Sequence, residues 1–299
     1  MRSHRPQLAT LLLSFALLAT PNAQAAEPVL QWETSGFMAP ESVAYDAQRD
    51  CYYVSNLGTR GEDRTPNDGF ISKVDRSGEI IELKWATGLE DPKGLAVANG
   101  RLYVGDTPAM WEVDLESGKV LNRYAPADGQ NGGFNDCTVD PDGNVYVYSS
   151  RLSTVYRLHA GRFEAWREID TSVTGGLNGL RAETDRLLLG GWTIRDSNGE
   201  EQLGHLSVIR FVDKSLSRIG DSPVAHIDGI EPDGAGGYIV TDWPTGDVKH
   251  VTADGAVTTI MLLAKGTADL EYLIEDRLMV IPSMLEDTVR AFVWSPAAN

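Results

Sequence analysis

One short pattern recurs six times between residue 41 and the end of this 299-residue chain. Each copy has a polar opening residue, an apolar run, a turn and a second apolar run, and further apolar strands follow it. The copies open at Glu41, Lys93, Asn135, Asn178, Asp228 and Asp269. Four antiparallel strands in about 40 to 45 residues are typical of a propeller blade. The sequence therefore predicts an all-β, six-bladed β-propeller, with residues 26-299 forming one domain.

The ring also needs closure, because the last copy reaches Trp294 without room for a fourth strand. An aromatic residue precedes several copies at similar spacing, for example Trp85 before Lys93, and Trp32 stands in the same phase before Glu41. We therefore expect Val29 to Thr34 to be the outer strand of blade 6, which leaves no open edge between the chain ends. The regularly spaced aromatic residues are predicted to pack between blades.

The first 25 residues have the features of a secretory signal peptide. Two arginines precede an apolar run from Leu8 to Thr20, and Ala23-Gln24-Ala25 is a small-x-small cleavage site. The run is too short to cross a bilayer of about 30 Å. The sequence thus predicts a periplasmic or secreted protein without membrane insertion.

Charge and cysteine content narrow the function classes. The formal net charge of -17 argues against nucleic-acid binding, which needs a basic surface, and favours attraction of a divalent cation. Two cysteines, Cys51 and Cys137, cannot form a disulfide framework, and both lie in apolar runs. We expect two buried free thiols.

The six opening residues carry the functional signal. The first strand of a propeller blade lines the central channel, so these residues should face one another at one mouth. Glu41, Asn135, Asn178 and Asp228 offer only oxygen donors, the set preferred by calcium, magnesium or manganese. A hydrated polar mouth without metal is the alternative. For the remaining openers we expect an ion pair between Asp269 and Lys93, with binding of Asp269 to the metal through water as the alternative.

The motifs around these openers resemble a known family. They are PES at Pro40 to Ser42, FNDCTVDPDGNVYV at Phe134 to Val147, LNGL at Leu177 to Leu180 and IDGIEPDGAGGYIVTD at Ile227 to Asp242. In this order they are similar to those of the senescence marker protein and gluconolactonase (regucalcin-like) family of six-bladed propellers, with diisopropyl fluorophosphatase and paraoxonase as more distant relatives.

The resemblance implies a metal-dependent hydrolase of a small lactone or ester. It implies Glu41, Asn135, Asn178 and Asp228 as ligands of a catalytic divalent cation, with Asp228 as general base. Calcium is favoured, with magnesium, manganese and zinc as alternatives. One departure concerns the substrate: the family usually has an arginine two residues before the first of these asparagines, where this chain has Gly133.

Loops that follow the second strand of each blade return to the same mouth, where specificity usually lies. The segments 58-68 and 192-204 are the longest, and we expect them to form walls or a lid. Substrate contacts are predicted for Asp106, Asp136, Trp192 and Trp243, with packing at the rim as the alternative for the two tryptophans. His226 is a candidate supporting residue or, alternatively, an ordinary surface histidine. The expected partner is a small-molecule substrate, and the sequence does not predict an oligomeric state. A non-enzymatic propeller that binds a ligand or a partner protein at this mouth is the rival interpretation.

Overall fold

The computed structural model describes residues 27-196 and 198-297, so the predicted signal peptide lies outside the described residues. Six four-stranded antiparallel sheets form the blades of a β-propeller. Blades 1 to 3 consist of β2 (Pro40–Asp46), β3 (Cys51–Asn56), β4 (Gly69–Asp75) and β5 (Ile80–Leu89); β6 (Leu95–Ala98), β7 (Arg101–Gly105), β8 (Met110–Asp114) and β9 (Val120–Tyr124); and β10 (Phe134–Val139), β11 (Val145–Ser149), β12 (Thr154–His159) and β13 (Arg162–Glu168).

The other three blades complete the ring. Blades 4 to 6 consist of β14 (Leu177–Ala182), β15 (Arg186–Gly191), β18 (Leu206–Arg210) and β19 (Leu216–Arg218); β20 (Ile227–Pro232), β21 (Tyr238–Asp242), β22 (Asp247–Val251) and β23 (Val257–Leu262); and β24 (Glu271–Leu273), β25 (Leu278–Ser283), β26 (Thr288–Val293) and β1 (Val29–Ser35). The predicted six-bladed fold is confirmed.

Blade 6 is closed as the sequence predicts. Strand β1 pairs antiparallel with β26, from Val29 opposite Val293 to Ser35 opposite Thr288. The first and last strands of the described chain therefore share one sheet, and the ring is held by backbone hydrogen bonds between its ends.

Three short elements lie outside the blades. A 3-10 turn spans Gly61–Asp63, the α-helix α1 spans Thr171–Thr174, and a hairpin joins β16 (Thr193–Arg195) to β17 (Glu201–Leu203). Among the described residues, no helix has the length and hydrophobicity needed to cross a bilayer.

Aromatic residues pack where the spacing predicts. Within blade 1 the ring centres of Trp85 and Tyr53 lie 4.6 Å apart, and both rings belong to a hydrophobic cluster that includes buried residues of blade 2. Within blade 3 those of Trp166 and Tyr146 lie 5.2 Å apart, in a cluster that includes buried residues of blade 4. Each such pair contributes about 0.5–1.5 kcal/mol beyond the buried area. The thiols of Cys51 and Cys137 are free and buried, as expected.

Neighbouring blades are joined along the channel by their inner strands. The backbone NH of Asp269 donates to the carbonyl of Glu41 at 2.9 Å, and the NH of Ala182 donates to Thr138 Oγ1 at 3.0 Å. These contacts fix the height of the inner strand of blade 6 relative to that of blade 1, and of blade 4 relative to that of blade 3.

Candidate active site at the channel mouth

A β-bulge lies at the opening residue of every blade. In blades 1, 3, 4 and 5, two residues of the inner strand oppose one residue of the second strand, and the first of the two is the opener. In blade 2, the NH of Lys93 donates to the carbonyl of Gly105, and the NH of Gly105 donates to the carbonyl of Gly94. Lys93 and Gly94 therefore oppose Gly105 alone.

In blade 6, the NH of Ala268 donates to Pro282, and regular pairing begins at Glu271 with Val280. Asp269 and Leu270 therefore oppose Ile281 alone. A bulge bends the strand and redirects its side chains, so the six openers share one backbone setting.

Hydroxyl groups stabilise two of these bulges. Ser55 Oγ accepts from the NH of Ser42 at 2.9 Å, and Thr241 Oγ1 accepts from the NH of Gly229 at 2.8 Å. Both hydroxyls belong to the residue opposite a bulge. Sequence reasoning missed them, although a polar residue near the end of an otherwise apolar second strand was the available signal.

Three of the four predicted ligands are linked by side-chain hydrogen bonds. Asn135 Nδ2 donates to Asn178 Oδ1, and Asn178 Nδ2 donates to Asp228 Oδ1 at 2.6 Å. Blades 3, 4 and 5 thus bring two amides and a carboxylate into contact.

The fourth predicted ligand, Glu41, is close enough to interact electrostatically with the others. Burial, opposed by Lys93 and reinforced by Asp269, raises the pKa of Glu41 to about 8. Burial also raises the pKa of Asp228, and the Glu41 and Asp269 carboxylates raise it further. The mouth therefore buries carboxylates that repel each other when ionised.

The donor set suits a hard divalent cation. Glu41 Oε2 and Asn135 Oδ1 are buried and have no hydrogen-bond partner within the described part of the chain. Such oxygens are costly unless something binds them. No group of three or more His, Cys, Asp or Glu side chains among the described residues is placed to hold a metal. A cation here would therefore depend on the two amides as well as the two carboxylates.

The expected ion pair between Lys93 and Asp269 is wrong. Asp269 Oδ2 accepts from Ser42 Oγ at 2.7 Å, and burial raises the pKa of Asp269 to about 7. Lys93 instead acts electrostatically on Glu41 and Asp228, lowering the pKa of both. The neighbouring serine competes for Asp269, which the repeat alignment alone does not reveal.

A cavity of about 180 Å³ lies along the channel next to the mouth. Arg181 Nη1 pairs there with Glu231 Oε1 at 2.8 Å. Arg181 also lowers the pKa of Glu271, although burial raises it overall. Inside the channel, carboxylates are thus accompanied by an arginine.

Two predicted substrate-binding carboxylates are bound to backbone groups. Asp106 is fully buried and accepts from the backbone NH groups of Glu90, Asp91 and Thr107 and from Trp111 Nε1. Asp136 accepts from the NH groups of Cys137 and Leu180. These contacts give both residues a role in holding loops and blades together, so neither is included in the substrate contacts proposed below.

The two predicted tryptophans lie together at the rim. Trp192 and Trp243 are half-buried, with ring centres 6.4 Å apart. The His226 ring lies edge-on to Trp192 at 5.5 Å.

The two long segments take different forms. Residues 58-68 cross the rim, where Arg64 pairs with Glu90 and Asp91, and Arg60 donates to the carbonyl of Met284 at 2.8 Å. Residues 192-204 contain the β16–β17 hairpin, which begins immediately after Trp192.

Comparison with known proteins supports the fold. No protein-family model matches the chain, and no curated protein matches it in sequence. A solved gluconolactonase from Xanthomonas campestris has a similar structure, with a TM-score of 0.68, 14% identity, and coverage of 92% of this chain and 99% of that chain. A streptogramin B lyase has a TM-score of 0.60, 11% identity, and coverage of 88% and 98%. The resemblance to gluconolactonase-like propellers is thus confirmed for the fold.

Proposed function

We propose that this chain is a divalent-metal-dependent hydrolase of a small lactone or ester, with its active site at the channel mouth. The observation that carries the proposal is the contact between Asn135, Asn178 and Asp228, beside a buried Glu41 oxygen that has no partner. Glu41, Asn135, Asn178 and Asp228 would hold the cation. Because every donor is an oxygen, calcium, magnesium and manganese suit the site better than zinc, and calcium is the cation that we propose. A cation bound there would polarise the substrate carbonyl as a Lewis acid.

Asp228 is proposed as the proton carrier. One of its oxygens is fixed by Asn178, and burial beside Glu41 makes its carboxylate more basic than that of an exposed aspartate. Asp228 would accept a proton from water as the water oxygen bonds to the carbonyl carbon. It would return that proton to the alkoxide as the carbon–oxygen ester bond breaks, which yields a hydroxy acid from a lactone.

The test is a panel of lactones and esters assayed in a pH-stat, with metal analysis of the same preparation. We expect turnover that chelator removes and added calcium restores. Turnover unaffected by thorough chelation, in protein free of metal, would contradict the proposed role of the cation.

A lyase is the second candidate, because a streptogramin B lyase shares the fold. Hydrolysis and elimination give different products, since only hydrolysis adds water to them. Mass spectrometry of products formed in isotope-labelled water separates the two reactions. We expect one labelled oxygen in the product carboxylate.

We also propose that the mature protein acts in the periplasm or outside the cell. The support is the signal-peptide pattern of residues 1-25. Mass spectrometry of the exported protein should give an N-terminus at Ala26, and a retained leader would contradict export by cleavage.

A further inference from the structure

The residue directly after the second strand of each blade lies on the rim of the mouth. These six rim residues are Leu57, Asp106, Ser150, Trp192, Trp243 and Met284. Only the rim residues of blades 4 and 5 are aromatic, and these two blades are neighbours. The aromatic surface is therefore confined to one side of the ring.

That side is the one that carries Asn178 and Asp228. The NH of Trp192 donates to the carbonyl of Gly176 at 2.7 Å, two residues before Asn178. Trp243 follows Asp242, which pairs with Ile227, the residue before Asp228. The backbone of each tryptophan is thus joined to the strand end that presents a proposed ligand.

Backbone hydrogen bonds hold both tryptophans in place. The carbonyl of Trp192 accepts from the NH of Gly204 at 3.1 Å, and the carbonyl of Trp243 accepts from the NH of Gly266 at 2.8 Å. The Lys265 ammonium lies 5.3 Å from the centre of the Trp243 ring. Trp192, His226 and Trp243, together called the aromatic wall, form a preorganised surface.

The rim of blade 3, which neighbours blade 4, differs. In blade 3 the rim residue is Ser150, which is exposed, and Gly133 donates its NH to the carbonyl of Thr107. An apolar part of a bound molecule would therefore gain most contact on the side of blades 4 and 5. Hydroxyl groups placed against indole rings would lose hydrogen bonds to water without replacement.

We propose that the aromatic wall binds an aryl group of the substrate, so that the preferred substrates are lactones or esters bearing an aromatic ring, in place of polyhydroxylated sugar lactones. This inference rests on the hydrolase function proposed above. Ring-on-ring contact and loss of apolar surface to water would supply the affinity, and the fixed tryptophans would keep its entropic cost low.

The test compares γ-phenyl-γ-butyrolactone with γ-butyrolactone and gluconolactone. For the wild-type protein we expect kcat/KM to be at least about tenfold higher for the phenyl lactone. Trp192→Ala and Trp243→Ala should each reduce that preference roughly five- to tenfold, mainly through KM. The loss of kcat/KM in these variants should be smaller for γ-butyrolactone, which has no ring to place against the wall, than for the phenyl lactone.

Met284→Ala is the matched control, because Met284 is the half-buried rim residue of blade 6. It should leave the phenyl preference unchanged. Trp192→Phe should retain most of the preference. Circular dichroism and thermal unfolding confirm that each variant is folded before its kinetics are compared.

Binding of the non-hydrolysable γ-phenyl-γ-lactam separates the two proposals. One outcome is that no lactone is turned over, but the lactam binds, and it binds more weakly to the tryptophan variants than to Met284→Ala. That outcome supports the aromatic-wall proposal and contradicts the hydrolase proposal. If gluconolactone or γ-butyrolactone is preferred, the wall proposal fails and hydrolysis stands. Absence of both turnover and lactam binding contradicts both.

Discussion

The mouth and the interior of the central channel both bury carboxylates, but they compensate them differently. Inside the channel, Glu231 pairs with Arg181 at 2.8 Å. At the mouth, Lys93 lowers the pKa of Glu41 and of Asp228 electrostatically, but it forms no ion pair within 4 Å with them in the described part of the chain.

The difference indicates which region lacks a cationic partner for its buried carboxylates. Buried charges need a partner, since an unpaired buried charge is strongly destabilising. The interior has Arg181 as a cation within the chain, although Glu231 Oε2 has no hydrogen-bond partner among the described residues. At the mouth, neither Glu41 nor Asp228 has an ion-pair partner within 4 Å among the described residues, so an external cation would supply there what Arg181 supplies in the interior.

Replacing one carboxylate in each region should give the largest contrast. Asp228→Asn keeps the shape of the side chain but cannot accept a proton, so we expect kcat on a substrate lactone to fall about 10²- to 10⁴-fold. Glu231→Gln in the interior should change kcat less than about tenfold. Equal losses in the two variants, in folded protein, would contradict the separate roles of mouth and interior.

Replacing Arg181 tests the ion pair between Arg181 and Glu231 inside the channel. Arg181→Met should lower the free energy of unfolding by about 3 kcal/mol, near the lower end of the cost of stranding a buried charge, because the Arg181 side chain is one-third exposed to the channel. Unfolding in urea measures this change in the free energy of unfolding.

Glu41→Gln at the mouth should instead stabilise chelator-treated protein, because it removes a carboxylate with no partner. A destabilising Glu41→Gln would show that the mouth is compensated within the chain.

The raised pKa of Glu41 predicts the pH dependence of stability without cation. The folded protein retains this proton up to about pH 8, whereas the unfolded chain releases it near pH 4.5, the ordinary pKa of a glutamate side chain. Because the folded state binds more protons between these values, its free energy of unfolding should fall as pH rises from about 5 to 8.

Thermal unfolding of chelator-treated protein across this range measures the slope. Glu41→Gln should reduce the slope, with Asp228 and Asp269, whose pKa values are also raised, contributing the remainder. Added calcium should also reduce the slope by replacing the proton. A stability that rises over the same interval in chelator-treated wild-type protein would contradict the burial of an uncompensated Glu41.

The smallest predicted effect concerns the bulge that carries Asp228. Thr241→Val removes the hydroxyl that accepts from the NH of Gly229, so we expect a loss of about 1–3 kcal/mol in unfolding free energy and weaker calcium binding. Thr241→Ser keeps the hydroxyl and should retain the affinity. Unchanged calcium binding in Thr241→Val would indicate that the bulge does not position Asp228.

The sequence predicted the fold well because the relevant signals are local and repeated. Apolar runs and turns define each blade, and the phase of Trp32 identifies Val29 to Thr34 as the closing strand, observed as Val29–Ser35. The same repeat predicts that the six opening residues lie at one end of the channel.

Side-chain partners at the mouth could not be predicted in the same way. Ser42 binds Asp269 across 227 positions of sequence, and Asp106 is surrounded by donors from a neighbouring loop. Such contacts depend on the paths of loops and on the bulges, which the apolar pattern does not encode. The ligand roles of Glu41, Asn135, Asn178 and Asp228 stay predictions, supported by their arrangement.

Calorimetric titration of calcium into chelator-treated protein tests the central claim most directly. We predict one site per chain, a heat that varies with buffer ionisation because protons are released on binding, loss of the site in Glu41→Gln and its retention in Glu231→Gln. Absence of calcium binding by the wild-type protein, or binding undiminished in Glu41→Gln, would contradict the account.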